Sequence, residues 1–196
     1  RDRAGDGFNA TDGGDADSVA IGGNLLVQGV QISDTGASNQ QRGFFADGIA
    51  GTATFENSAG VVQSVSVTGH EGTGVDLRET GGPVTFTGGG YSGNGTGGGA
   101  TADGIRIVNT VASGSATFTS VSATGNGDDG IETDGVATVG VSDSTLDMNS
   151  GDGLSGTRGS FAITGSSFDS NSGNGLHLGA GTVSYTHLTL PTSGVV

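Results

Sequence analysis

Carboxylates recur beside glycines in this sequence at spacings that could bring them together. Asp103, Asp129 and Asp152 each precede a glycine, 26 and 23 residues apart, and Asp128 adjoins the second of them. If the chain returns to the same place once per repeat, these carboxylates would lie about 4.8 Å apart and repel one another unless a cation bridges them. Oxygen-only ligands favour Ca²⁺, which predicts a Ca²⁺ site at these four aspartates. The alternative is that each aspartate accepts hydrogen bonds from the backbone of its own turn.

A second set of ionisable residues follows the aliphatic residue in three of the repeated Gly–aliphatic pairs. It comprises Asp76, Arg106 and Glu132, with Asp134 two residues beyond Glu132. Alternate residues of a strand share a face, so we expect all four side chains on one outer surface. The carboxylates could act as acid and base there, beside the Arg106 guanidinium. The alternative is an ion-pair ladder of Asp76, Arg106 and Glu132, because alternating charges suit neighbouring strands.

Two longer intervals in the repeat, residues 36–46 and 95–102, are candidate loops. Loops on a rigid repeat structure often carry binding residues. The first interval contains Arg42, Phe44 and Phe45, which predicts a binding loop with aromatic contacts to a sugar. The alternative is a variable surface loop whose phenylalanines cover the core. The second interval is mostly Gly and Thr, and we interpret it as a flexible bulge.

The elements that must position these groups are short strands. Each repeat has an apolar pair at i and i+2, another apolar residue at i+7, and usually Asn at i+10. A two-residue step keeps side chains on one face of a strand, whereas the step of five requires a bend. One repeat cannot bury its apolar face alone, so stacking is expected. The predicted pairs are Leu25 and Val27, Gly60 and Val62, Val84 and Phe86, Ala116 and Phe118, Val139 and Val141, and Phe161 and Ile163.

Two further columns support stacking. A small or acidic residue, then Gly (once Ser), then an aliphatic residue recurs at intervals of 22–30 residues. We align its aliphatic residues as Val19, Ile49, Val75, Ile105, Ile131, Leu154 and Leu176. The second column is a structural ladder of amides, which can hydrogen-bond along the stacking axis and satisfy polar groups at a tight bend. Its members are Asn94, Asn126, Asn149 and Asn171.

The Asn–x–x–Asp/Asn–Gly–Ile/Leu pattern, with its asparagine column and its period, resembles the right-handed parallel β-helix (pectate-lyase-like) superfamily. That group includes pectate lyases, polygalacturonases, phage tailspikes and many bacterial surface proteins. The resemblance covers residues 17–183 and implies an all-β, single-stranded solenoid of about seven coils of 22–30 residues. We interpret residues 1–16 as an acidic N-terminal end or partial coil. Residues 184–196 resemble translated sequencing-adapter read-through of metagenomic fragments, and we interpret them as a non-native tail, the alternative being another coil begun by Val183, Tyr185 and Leu190.

Composition excludes some partners. The chain has 20 acidic residues against six arginines, no lysine and no cysteine, and a formal net charge of −14. Nucleic acid and anionic membranes need a basic surface, so neither is an expected partner. No apolar run reaches the roughly 20 residues needed to span a bilayer, so we expect no membrane insertion in this segment. Uncapped solenoid ends present open strand edges, which predicts self-association.

The resemblance also bears on function. In pectin-degrading relatives the outer face of this sheet is the substrate groove, but the polygalacturonase signatures are incomplete here. Asp128-Asp129 supplies the paired aspartates, whereas Gly69-His70-Glu71 and Arg106-Ile107-Val108 match only in part. We therefore predict a structural or binding segment of an exported or cell-surface bacterial protein that contacts polysaccharide or a cell-surface glycan, as an adhesin would. The alternative is a polysaccharide lyase or glycoside hydrolase acting on acidic polysaccharide.

Overall fold

The computed structural model describes residues 8–10, 21, 23–33, 42–58, 64–96 and 102–186. Every regular element within these ranges is a β-strand, and all the strand pairs are parallel. An all-β, parallel structure is thus confirmed. The strands are β1 (Phe8–Ala10), β2 (Leu25–Gln28), β3 (Gln31–Ser33), β4 (Phe44–Asp47), β5 (Ala53–Glu56), β6 (Ser66–Thr68), β7 (Val75–Arg78), β8 (Val84–Thr87), β9 (Gly90–Ser92), β10 (Ile105–Thr119), β11 (Ile131–Ser142), β12 (Leu154–Arg158), β13 (Ser160–Thr164), β14 (Leu176–Ala180) and β15 (Val183–Thr186).

The strands form three rows, and the chain visits the rows in turn. The first row is β1, β4, β7, the start of β10, the start of β11, β12 and β14. The second row is β2, β5, β8, the ends of β10 and β11, then β13 and β15. The third row is β3, β6 and β9, continued by single bridges. The first two rows make one strongly curled, open sheet.

The core lies between the rows, and stacked side chains fill it. In the second row, Phe55, Phe86 and Phe118 are register partners and fully buried. The ring centroids are 4.6 Å apart for the first pair and 5.2 Å for the second, with near-parallel planes. Each buried phenylalanine contributes about 1.5–3 kcal/mol through removal of apolar area from water. Stacking therefore gives successive repeats one continuous core.

A glycine precedes the strands of the first row because the backbone of the next repeat passes too close for a side chain. The nitrogen of Val75 donates to the carbonyl of Gly104, and the nitrogen of Ile105 to that of Gly130. A Cβ added at Gly74 would lie 2.6 Å from the Gly104 carbonyl oxygen and 2.6 Å from Nδ2 of Asn94. The glycine column of the sequence is therefore a steric requirement of the stacking.

The register corrects two alignments made from the sequence. Phe44, and not Ile49, is the partner of Val75 in the first row. Ala53 and Phe55, and not Gly60 and Val62, are the apolar pair of that repeat; the latter two lie outside the described residues. The pair was misplaced because the extra residues of this repeat lie after β5, between the pair and the third row. Ile49 was misplaced because Asp47-Gly48-Ile49 has the form of the anchor.

The predicted ends are only partly described. The acidic residues 1–7 and 11–16, and residues 187–196 of the proposed tail, lie outside the described ranges. Within β15, Val183 is the register partner of Phe161 and Tyr185 that of Ile163. None of the described residues forms a helix long and apolar enough to cross a membrane.

Candidate functional site

The charged side chains converge on the outer face of the first row. There Phe45, Asp76, Arg106, Glu132, Ser155 and His177 are consecutive register partners, and we call them the charged file. They alternate with core residues such as Val75 and Leu77, because neighbouring strand residues point to opposite faces. Parallel stacking therefore places groups from repeats 22–31 residues apart side by side.

Asp76 is the centre of an arginine cluster. Its carboxylate is 1% exposed and accepts from Arg78 through Nη2 at 2.9 Å and Nε at 3.3 Å. Nε of Arg42 lies 2.9 Å from Oδ2, and Nη1 of Arg106 lies 3.8 Å from Oδ1. A buried carboxylate is costly unless it is paired, and three guanidinium groups supply that pairing. The carboxylate of Asp76 is thus buried and fixed by ion pairs, which suits a structural role better than proton transfer.

Phe45 lies beneath this cluster, which corrects the predicted binding loop. Phe44 and Phe45 belong to strand β4 and are 2% and 8% exposed, so neither ring is displayed on a loop. The guanidinium carbon of Arg42 is 4.3 Å from the Phe45 ring centroid, and that of Arg78 is 5.4 Å away. Both distances permit cation–π attraction. Phe45 therefore orients two arginines, and only Arg42 of the predicted loop residues has a partly exposed side chain.

Arg106 links Asp76 to Glu132 along the charged file. Its Nε is 2.5 Å from Oε2 of Glu132, in register on the neighbouring strand. Burial lowers the pKa of Arg106, but the hydrogen bond and charge of Glu132, with the charges of Asp76 and Asp103, raise it above its ordinary value. The contacts are those of the ion-pair ladder that the sequence offered as its alternative to an acid–base site.

Asp134 is also paired. It accepts hydrogen bonds from the hydroxyl of Thr157 and from Nη2 of Arg158, the latter at 3.0 Å. The Thr157 hydrogen bond lowers the pKa of Asp134, and Arg158 adds to this against the opposing effect of burial. All four acid–base candidates of the sequence thus lie on one face, and each has a hydrogen-bonding or charged partner there.

The aspartates before the glycines form a column of hydrogen bonds between repeats. Oδ1 of Asp103 accepts from the backbone nitrogen of Asp129 at 3.1 Å, and Oδ1 of Asp129 from that of Asp152 at 2.6 Å. Oδ1 of Asp152 accepts from the nitrogen of Asn174 at 2.6 Å. The sequence alternative placed each of these bonds within the aspartate's own turn. The donor instead belongs to the next repeat, so the column joins neighbouring repeats.

Asp152 differs from the other predicted metal ligands. Its Oδ2 lies 2.9 Å from Nδ1 of His177, and Nδ2 of Asn174 donates to its Oδ1 at 3.1 Å. Asp103, Asp128 and Asp129 each place one carboxylate oxygen within 4.8 Å of the others. The structure therefore brings together three of the four predicted ligands, and the fourth is engaged by its own neighbours.

The three clustered carboxylates repel one another. Burial, then the charge of Glu132, raises the pKa of Asp103 to about 8 despite the hydrogen bond from Asp129. Burial raises the pKa of Asp129 to about 6, and the charges of Asp128 and Asp152 contribute. The pKa of Asp128 is raised by burial and then by Glu132 and Asp152. Burial is therefore the first cause of all three raised pKa values, and the charges of neighbouring carboxylates add to it.

The asparagine column joins the repeats on the other side of the same turn. Nδ2 of Asn94 donates to Oδ1 of Asn126 at 3.2 Å. The same bond runs from Asn126 to Asn149 and from Asn149 to Asn171, at 3.0 Å in both cases. Each receiving Oδ1 also accepts the backbone nitrogen of the preceding asparagine. These contacts fix the turn that carries the aspartates, and so they position the carboxylate cluster.

Sequence reasoning missed two features of this face. Arg78 and Arg42 both reach Asp76, and His177 reaches Asp152. Arg78 stands two residues after Asp76, which is a readable same-face signal. Arg42 could not be assigned because the alignment of its repeat was wrong.

Comparison with known proteins leaves the family unassigned. No family model, no curated protein and no solved structure matches this chain.

Proposed function

We propose that the chain is a single-stranded right-handed parallel β-helix of about seven coils, serving as a structural or binding segment that contacts carbohydrate. The three rows of parallel strands, visited in turn, support that coil arrangement. An exported or cell-surface location rests on the family resemblance alone. The proposed role is a rigid support that presents the charged file to a glycan.

One observation carries this proposal: the four acid–base candidates are engaged with one another or with nearby side chains. Asp76 is buried among arginines, Arg106 is bonded to Glu132, and Asp134 is bonded to Thr157 and Arg158. A general acid or base needs an accessible proton within reach of substrate. Groups paired in this way suit rigidity and recognition, because fixed partners hold each side chain in one position.

The arginine cluster gives the proposed binding surface its chemistry. The side chains of Arg42 and Arg78 are 27% and 36% exposed and lie over Phe45. A planar guanidinium binds a carboxylate in a bidentate geometry, so a uronic-acid residue fits this end of the charged file better than a neutral sugar does.

A second candidate function, hydrolysis or elimination on acidic polysaccharide, is favoured by one observation. Asp103 and Asp129 are adjacent carboxyl groups whose pKa values are raised to about 8 and about 6. Neighbouring carboxyl groups with different pKa values are an arrangement that can supply an acid and a base. The low exposure of Asp103, 1%, makes contact with a polymer unfavourable and places this candidate second.

Incubating the chain with uronic-acid and neutral polysaccharides separates the two functions. We expect retention of a uronic-acid polymer in affinity electrophoresis, without release of unsaturated or reducing ends. The double variant Arg42→Gln, Arg78→Gln should lose retention, whereas Arg158→Gln, a matched loss of an exposed arginine at Asp134, should keep it. Released ends would establish the enzyme instead, and absence of retention on every polymer would refute carbohydrate binding.

A further inference from the structure

The carboxylate cluster has oxygen atoms that the hydrogen bonds between repeats do not use. Oδ1 of Asp103 and Oδ1 of Asp129 each accept a backbone N–H, which leaves their second oxygens. Asp128 and Asp129 come from the turn before β11, and Asp103 comes from the equivalent turn of the preceding repeat. The cluster therefore spans two consecutive repeats.

The second oxygen of Asp103 is an independent sign of a ligand. Among the described residues, Oδ2 of Asp103 is buried and has no hydrogen-bond partner, and the whole residue is 1% exposed. Nε of Arg106 lies 3.9 Å from Oδ2, and that nitrogen is bonded to Glu132. A buried polar atom left without a partner is unfavourable, and more so when it is charged. One carboxylate oxygen of Asp103 lies within 4.8 Å of one oxygen each of Asp128 and Asp129, so an ion held by all three would compensate the buried carboxylate.

The ligand chemistry, rather than the spacing, indicates the kind of ion. The three oxygens lie within 4.8 Å of one another, close enough to share one cation. Mg²⁺ demands near-ideal octahedral geometry and usually keeps several waters, which this set of carboxylates does not favour. Carboxylate oxygens are also the ligands that Ca²⁺ prefers, and its coordination is tolerant of irregular geometry.

We propose that Asp103, Asp128 and Asp129 bind one Ca²⁺, which joins two consecutive repeats at the turn before the charged file. Asp152 is not a ligand, because His177 and Asn174 hold both of its oxygens. Water completes the coordination on the half-exposed side, where Asp128 lies. This site goes beyond the proposed function, since it would bind the ion whether or not the face binds a glycan.

Charge compensation supports the same site. Asp103, Asp128 and Asp129 bring three carboxylate oxygens within 4.8 Å of one another, so their charges repel unless a cation lies between them. A divalent ion compensates that charge and removes the repulsion between the two turns. Ca²⁺ should therefore raise the melting temperature of the chain, because it binds the folded state in preference to the unfolded one.

Calorimetric titration of the metal-free full chain with CaCl₂ tests the proposal. We expect one Ca²⁺ per chain, binding more tightly than Mg²⁺, and a melting temperature that rises with Ca²⁺ and falls with chelator. Asp128→Asn should weaken Ca²⁺ binding about tenfold or more, because it removes one charged ligand. Asp169→Asn, the matched loss of an exposed carboxylate outside the cluster, should change the affinity less than about twofold.

Three results would overturn the proposal. The first is no Ca²⁺ binding at about 10 mM, above the weakest affinities of extracellular calcium modules. The second is an Asp128→Asn variant that binds Ca²⁺ as tightly as the unsubstituted chain does. The third is stronger binding of Mg²⁺ than of Ca²⁺. If Asp128→Asn fails to fold, Asp103→Asn, which keeps the Oδ1 acceptor, takes its place, and circular dichroism establishes folding before either titration. None of these readouts depends on carbohydrate, so this proposal and the proposed function can fail separately.

Discussion

Replacing Asn126 by alanine tests whether the amide column holds the repeats together. Oδ1 of Asn126 accepts two bonds from Asn94, at 3.2 Å each, and its Nδ2 donates to the Tyr91 carbonyl at 3.1 Å and to Asn149 at 3.0 Å. The residue is 1% exposed, so water cannot replace these partners. At about 1 kcal/mol net for each of four bonds, Asn126→Ala should lower the free energy of unfolding by about 4 kcal/mol.

Two further variants separate hydrogen bonding from packing. Asn126→Asp keeps the shape and the acceptor but directs an oxygen at the Tyr91 carbonyl and at Oδ1 of Asn149. The loss in the free energy of unfolding that it causes should become smaller in acid, because protonation of the new carboxyl restores a donor. Asn57→Ala is the control, because Asn57 is exposed and accepts one bond, from the nitrogen of Val65. It should cost about 1 kcal/mol or less.

Urea unfolding followed by far-ultraviolet circular dichroism measures all three losses on the full chain. Neighbouring repeats stabilise one another in stacked proteins, so an interior break should lower the urea midpoint as well as the cooperativity of the transition. If Asn126→Ala unfolds within about 1 kcal/mol of Asn57→Ala, the column is not a major source of stability and the argument fails.

Two further predictions concern the core and the carboxylates. Phe86→Ala removes the middle ring of the stack formed with Phe55 and Phe118 and should cost about 3–5 kcal/mol in urea unfolding; a cost below about 1 kcal/mol would contradict the stacked core. In chelator, the melting temperature should fall as pH rises from about 4 to about 8. The folded pKa values of Asp103 and Asp129, about 8 and about 6, exceed the usual 3.8, so the folded state binds these protons more tightly than the unfolded state does. The contribution of the two protonated carboxyl groups to stability is therefore lost as pH rises through these values. The pKa of Asp134 is lowered, so its contribution is lost only in stronger acid; a melting temperature that rises across this window would contradict the raised values.

The parallel all-β architecture could be predicted because its signals are local and repeated. Val84 and Phe86, Ala116 and Phe118, and the pairs after them keep the same two-residue step, and one face of a strand must supply the core each time. The alignment failed where a strand position is occupied by an unexpected residue type. Phe44 stands where the following repeats have an aliphatic residue, and Asp47-Gly48-Ile49 imitates the anchor five residues later.

The site was harder to predict than the fold, because partner choice depends on the direction of each side chain. The sequence places Asp76, Arg106 and Glu132 in one column, and register alone then brings opposite charges together. Nothing in the spacing tells whether Asp152 points to the cluster or to His177, since both lie within one repeat of it. Rotamers decide such cases, and they are set by packing that a periodic pattern does not encode.

Stacking has opposite consequences for amides and for carboxylates, and the chain uses both. Identical amides placed one above another can each donate and accept, so the asparagine column gains stability with every added repeat. Identical carboxylates only accept, so a column of aspartates needs a donor or a cation at each level. Three arginines form ion pairs with Asp76, and Nδ1 of His177 contacts Oδ2 of Asp152. Among the described residues, Asp103 has a cationic group no closer than Nε of Arg106 at 3.9 Å, so the proposed Ca²⁺ would stabilise the stacking at that level.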